Sequence, residues 1–372
     1  MWKKENRKKR ALEPGSLHGG AKKGGKEGEE DVQDDEGVEE DPKDTWRVFY
    51  QPQHAGCLSI EELKASADYA LRIPSNENDP KRKYAICFGY LGSNYQGLQI
   101  NPGAVTVESI LEKAMFLAGG IEECNYENLQ KIGWTRAART DRGVHAVSQL
   151  CGMKLRLPPL QEKTFIENVN RFLPADIRAF DLRRVTKSFN AKISCSARRY
   201  QYMLPTYMFT PQNTLRDHFK ASTNDVNSKL SEERLKSIRK SLVSFRLSSA
   251  QFEALQQTLT QFQGTRKYHN FTYQKNSSDA SAQRYITSFS SSEVFIQGEE
   301  GVEWVVLSVV GQSFLLNQIR KMVALVIDVM RGAAPEDIFS FVFEADKVEV
   351  PMALGIGLYL GTPLYDSSHI VL

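Results

Sequence analysis

The chain is poor in the residues that hold disulfides and metals. Its five cysteines (Cys57, Cys87, Cys124, Cys151 and Cys195) are scattered over 372 residues with no Cys-x-x-Cys pair. That spacing argues against a disulfide framework and against a standard structural zinc site. No apolar run reaches the roughly 18 to 20 residues of a membrane span. The most apolar helical stretch is interrupted by Arg320, Lys321 and Asp328. No secretory apolar core follows the first residues. There is no Walker loop, and no Gly-x-Gly-x-x-Gly follows a strand pattern. The expectation is a soluble intracellular protein that uses neither membrane nor cofactor.

What is present is enough apolar material for a large core, 41% hydrophobic and 10% aromatic residues, which at this length predicts two lobes. The net charge of +3 is unevenly spread. Residues 1–44 hold ten Lys/Arg and thirteen Asp/Glu, which leaves a net charge of +6 on the remaining body. A moderately basic body fits a phosphate-bearing partner without establishing one.

Residues 1–44 run from a Lys/Arg block (Lys3 to Arg10) through a Gly-rich stretch to an acidic block, a pattern that predicts a disordered charged tail. The basic block reads equally as a nuclear address or as a solvated tail. Residues 45–79 read as a linker with a short helix near 59–71, where Ser59 and Glu62 can form a capping box. A first lobe over 80–188 contains a strand at 84–90, a helix at 107–117, a helix near 162–172 and a strand near 177–185. A second lobe over 189–365 carries a polar, helix-prone insertion at about 207–250. Beyond it come a helix at 250–262, strands near 285–295 and 303–310, and a helix at 314–330 closed by Gly332. The order implies two α+β lobes, each a sheet with helices on one face.

Arg136-Ala-Ala-Arg139-Thr140-Asp141-Arg142-Gly143-Val144-His145 is the most informative stretch. It places one carboxylate among three arginines on a tight loop, between an apolar approach (Ile132, Trp134) and a strand-like exit (Val147 to Leu155). Catalytic groups often sit on such loops. Taken alone, Asp141 reads as a loop carboxylate paired with an arginine.

The segment Arg139-Thr140-Asp141-Arg142-Gly143-Val144-His145 resembles the catalytic loop of the TruA-type pseudouridine synthases. Four further segments agree in type and order: Tyr90 to Gln99, Leu173-Pro174-x-Asp176-Ile177, Ala197-Arg198-Arg199-Tyr200-x-Tyr202, and Ser313 to Val323. The likeness covers about residues 80–365 and is closer to the eukaryotic branch typified by pseudouridine synthase 1. The resemblance implies two RRM- or ferredoxin-like α+β lobes forming a pseudouridine synthase fold, with a central sheet and a basic cleft. It implies a tRNA pseudouridine synthase, an isomerase without cofactor or metal. Its partner would be tRNA, or other structured RNA. The family includes monomers and homodimers. The nucleus is the expected location, with mitochondrion and cytoplasm as alternatives.

The resemblance also implies roles. Asp141 breaks the C1′–N1 bond of a uridine, as nucleophile or as base. Arg320, in an otherwise apolar stretch, would meet that carboxylate and hold its pKa below the usual value of about 3.9. Tyr200 and Tyr202 share one face of a strand; the resemblance selects Tyr200 to stack on uracil. Arg139 is expected to serve the phosphate of the flipped nucleotide or to help displace it. Arg136, Arg142, Arg198 and Arg199 are candidate RNA contacts. His269, Asn270, Phe271 and Arg284 are expected on the RNA side of the second lobe. His145 is grouped with the RNA-side residues by position, although its chemistry reads as a packed, hydrogen-bonded loop histidine. Two rivals remain: a non-catalytic RNA-binding protein of RRM-like lobes, and a glycosidic hydrolase. The hydrolase normally needs a second acid, and no second carboxylate motif is evident.

Overall fold

The computed structural model describes residues 58–214, 232–273, 275–335 and 337–365. The charged tail and the middle of the 207–250 insertion lie outside them, as does Cys57; the other four cysteines are free. No helix among the described residues is long and apolar enough to cross a membrane.

Ten strands form one sheet: β1 (Lys81–Tyr90), β2 (Thr135–Arg136), β3 (His145–Arg156), β4 (Ile177–Arg184), β5 (Cys195–Pro205), β6 (Gly264–Lys267), β7 (Gln283–Ser291), β8 (Phe295–Gln297), β9 (Val302–Gly311) and β10 (Leu358–Tyr365). Their order is β4-β1-β3-β10-β5-β9-β7-β6, with β2 added to β3 and β8 to β9. Every pairing is antiparallel except β10 with β3, which are parallel and matched only at Tyr359 with His145 and Leu360 with Ala146. The two halves of the sheet are therefore fused at a short seam beside the Asp141 loop. One hydrophobic cluster runs through both halves, from Leu63 through Phe88 and Tyr200 to Leu360.

The helices are α1 (Ile60–Lys64), α2 (Val107–Leu117), α3 (Glu162–Phe172), α4 (Glu232–Val243), α5 (Ser249–Thr260), α6 (Gln318–Met330) and α7 (Ile338–Phe341). α2 and α3 keep the bounds that their apolar spacing predicts. A Thr106–Ser109 capping box starts α2, while Phe165, Ile166 and Val169 form the buried face of α3. The helix expected over 59–71 is instead α1, started by the Ser59–Glu62 box, followed by a separate 3-10 turn after the extended Ser66. The helix expected from 314 begins at Gln318, because Asn317 adopts a left-handed conformation (φ 61°). Gly332, at φ 65°, follows its last turn.

Candidate active site

The Asp141 loop is built by contacts from elements far away in sequence. Gly92 has no room for a side chain: a Cβ there would lie 2.0 Å from the Val144 carbonyl oxygen. Gly97, at φ 100°, also passes close to the loop, with the Thr140 carbonyl 3.0 Å from the position of a Cβ. Tyr90 and Thr140 join their hydroxyls at 2.7 Å, and Leu98 N donates to Thr140 O at 3.2 Å. The Tyr95 hydroxyl donates to Asp176 at 2.6 Å, and Asn94 donates to the same carboxylate. Buried Gln149 donates to the carbonyl of Ala138. The Tyr90–Gln99 and Leu173–Ile177 motifs are thus the scaffold on which the loop rests.

Above the seam lies a cleft of about 790 Å³, lined by Asp141, Arg139, Tyr200, Phe314, Arg320 and Leu358 among others. The Tyr200 ring meets Phe314 edge-on, with centroids 5.3 Å apart, and burial raises the pKa of its hydroxyl. Asp141 departs from expectation. Desolvation raises its pKa above the ordinary carboxylate value, and the charge of Arg320 offsets only part of that rise. Arg320 itself is pushed down by burial, with the Asp141 charge acting against it. Its Nε donates to Ala353 O at 2.8 Å and its Nη1 to Asn317 Oδ1 at 3.4 Å. Among the ion pairs of the described residues, none joins Asp141 to Arg320. The expected direct pair is corrected to two charges that face one cleft and interact through the field.

The other candidate residues separate sharply. Arg139 is exposed and lines the cleft. Arg136 lines it too, but its guanidinium grips buried Glu108 with two bonds, of 2.5 and 2.9 Å. The same carboxylate accepts from Trp134 Nε1 and from the Ile100 amide. Arg198 spends its donors on the carbonyls of Ala137, Lys192 and Gln312. Both arginines act as struts within the fold, and both also line the cleft. Arg199 is exposed, but alternation along β5 turns it away from the face of Tyr200. Arg142 is half-buried and does not line the cleft.

His145 is also outside the cleft lining. Its Nδ1 accepts from the Gly92 amide at 3.1 Å, and burial lowers its pKa. His269, Asn270 and Phe271 are buried, not exposed to a partner. Asn270 bridges Val342 O, Asp346 O and Val348 N, and Phe271 packs among Phe262, Tyr268 and Phe343. That segment forms the core of the second half. Arg284 is occupied by the carbonyls of Ser281 and Gln283 and lies outside the cleft.

Tyr202, on the same face as Tyr200, donates its hydroxyl to Leu354 O at 2.8 Å and packs against Gly357; it braces the loop that fastens Arg320. Phe314 and Leu358 were given no role beforehand. Their only sequence signal was membership of the segments Ser313 to Val323 and Leu354 to Leu358 that carry the resemblance. No group of three or more His, Cys, Asp or Glu side chains among the described residues is placed to share a metal.

Fold and cleft together define a class of protein: two α+β halves fused through one sheet, holding a single desolvated carboxylate opposite a guanidinium and an aromatic face at the seam. Comparison with known proteins narrows the class. The family described as tRNA pseudouridine synthase matches residues 259–366. tRNA pseudouridine synthase 1 of Kluyveromyces lactis is 32% identical over 345 residues, covering 79% of this chain and 62% of that protein. Pseudouridylate synthase 1 homolog of Mus musculus is 37% identical over 300 residues, covering 78% of this chain and 64% of the mouse protein. tRNA pseudouridine synthase 1 of Eremothecium gossypii is 31% identical over 357 residues, covering 81% of this chain and 67% of that protein. The chain belongs to the tRNA pseudouridine synthase family. It spans a little under two thirds of the length of the first two of these relatives.

Proposed function

We propose that this chain isomerises uridines in tRNA to pseudouridine. The carrying observation is the placement of Asp141: one carboxylate, raised by desolvation, in a cleft that also holds Tyr200 and Arg320. In the proposed reaction the C1′–N1 bond breaks, the freed uracil turns within the cleft, and a C1′–C5 bond forms. The C5 proton is lost and N1 regains one, so no oxidant or group donor is consumed. Asp141 acts in its ionised form, either by attacking C1′ or by taking a ribose proton. Tyr200 and Leu358 offer flat and apolar surfaces that retain the base without fixing its orientation, a contact worth about 1 to 3 kcal/mol per base for an aromatic ring. Exposed Arg139 meets a phosphate. The body's positive charge supports a nucleic-acid partner, and the Lys3–Arg10 block supports a nuclear location, which a fluorescent fusion lacking residues 1–44 would test.

The test of the activity uses tRNA transcripts labelled with tritium at uridine C5. The full chain is expected to release tritium to water, and Asp141→Ala to release none while still binding the transcript. Release by Asp141→Ala at the full rate would exclude this assignment. Binding without any release by the intact chain would favour a non-catalytic RNA-binding protein, and free uracil in the products a hydrolase.

A further inference from the structure

We infer that Ile193 and Leu316 form an apolar wedge at the mouth of the cleft, inserted into the RNA stack beside the extruded uridine. The inference rests on the function proposed above. Both residues line the cleft, and both are turned to solvent, Ile193 81% and Leu316 59% exposed. Single exposed aliphatic side chains are ordinary. Two on the rim of one cleft, each carried by a stiff loop, are not accounted for by the folding of this chain.

The stiffness is visible in the hydrogen bonds. Asn190 Oδ1 accepts from the amides of Lys192 and Ile193 at 3.0 and 3.2 Å. Ala191 is held on both sides, its amide donating to Thr135 Oγ1 and its carbonyl accepting from the Tyr365 hydroxyl. In the other loop, the side chain of buried Gln318 accepts from the Leu315 amide at 2.8 Å. Left-handed Asn317 then closes the turn that displays Leu316. One guanidinium ties the two loops together: Arg198 donates to Lys192 O at 3.0 Å and to Gln312 O at 2.5 Å. Little backbone entropy is left to lose when these side chains are covered, which favours insertion over a contact made by a flexible loop.

The occupant follows from the surroundings. The wedge is continuous with the cleft, and exposed Lys192 and Arg139 stand on the same rim with charge suited to phosphates. Extruding a nucleotide costs a few kcal/mol and leaves a gap in the stack. Aliphatic side chains placed between base steps fill such gaps in other nucleic-acid complexes. A wedge acts after binding, so its loss should slow turnover more than it weakens association.

The experiment compares the intact full chain, Ile193→Ser/Leu316→Ser and Ile193→Leu/Leu316→Met on the tritium-labelled tRNA transcripts. The serine pair is expected to lower kcat at least tenfold, with KM changed less than threefold, and the aliphatic pair to stay within threefold of the intact chain. Unchanged kcat in the serine pair overturns the wedge, and so does a rise in KM alone. Equal loss in both pairs overturns it as well, because apolarity would then not be the property used. A shift of the serine pair to a smaller species in sedimentation, with turnover intact, would assign the patch to self-association instead. Failure of the intact chain to release tritium would sink the proposed function itself, a result distinct from all of these.

Discussion

Arg320 and Asp141 face one cleft with no ion pair between them, and the Arg320 guanidinium is fastened to the Ala353 carbonyl at 2.8 Å. The two charges act on each other only through the field. Each is opposed by a larger desolvation effect, which raises the carboxyl and lowers the guanidinium. An unpaired, partly desolvated carboxylate is more reactive than one locked in an ion pair. Fastening Arg320 to the backbone keeps it available to a substrate oxygen.

The pH dependence follows from that balance. Asp141 must be ionised to act, so activity falls as pH drops through its raised value. The acid limb of kcat/KM, which reports the free enzyme, should lie above the value of about 3.9 of an unperturbed Asp. Arg320→Ala removes the one influence that lowers Asp141, and should move this limb to still higher pH, whereas Arg320→Lys should move it less. An acid limb at the same pH in all three proteins would show that the field coupling is negligible.

Arg139 and Arg136 should part company in their response to salt. Arg139→Ala should reduce the slope of log affinity for tRNA against log salt by about 1, as expected for one lost phosphate contact. Arg136→Ala should leave the slope unchanged. It should instead destabilise the fold, on the order of 3 kcal/mol, by leaving buried Glu108 without its cation. Urea titration and filter binding across a salt series distinguish the two.

Gly92→Ala tests whether the first-strand motif supports the loop. Its Cβ would fall 2.0 Å from the Val144 carbonyl, a backbone atom that cannot rotate away. The loop must move, and a shift of about 1 Å at a reacting group costs on the order of 100-fold in rate. Turnover within threefold of the intact chain, at an unchanged melting temperature, would count against this role.

Glu112 provides a stability prediction away from the cleft. Burial pushes its carboxyl up to about 7, above the unfolded value of about 4.3. Between those values the folded state holds a proton that the unfolded state has released. Stability contributed by the neutral acid is therefore full below about pH 4.3 and is lost as pH rises through about 7. Glu112→Gln, which stays neutral, should flatten this part of the profile and gain stability at pH 8, on the order of 3 kcal/mol as an upper bound. Equal urea midpoints for the two proteins at pH 5 and at pH 8 would contradict the buried acid.

Local chemistry was legible wherever it was carried by neighbours in the chain. The bounds of α2 and α3 follow from apolar spacing over a few turns, and the Ser59–Glu62 box from two residues three apart. The Asp141 loop stood out because an acid, arginines and a turn glycine are adjacent. His269 to Phe271 misled for the converse reason. Polar and aromatic types in a short segment suit an RNA surface or a core equally well. Most of what buries them, Phe343 and the 342–348 backbone, is distant in sequence.

The sequence by itself determined which residue types were available, one acid in a basic loop and a basic body, and the periodic elements that carry them. Only the tertiary structure decided which arginines are struts and which remain for a substrate. A guanidinium has five donors that remote carbonyls and carboxylates can engage, as happens for two of them at Arg136 and for most of them at Arg198, and spacing along the chain carries no trace of that. Burial likewise reversed the direction of the Asp141 pKa, because desolvation depends on every atom packed around the loop and not on the charges written beside it.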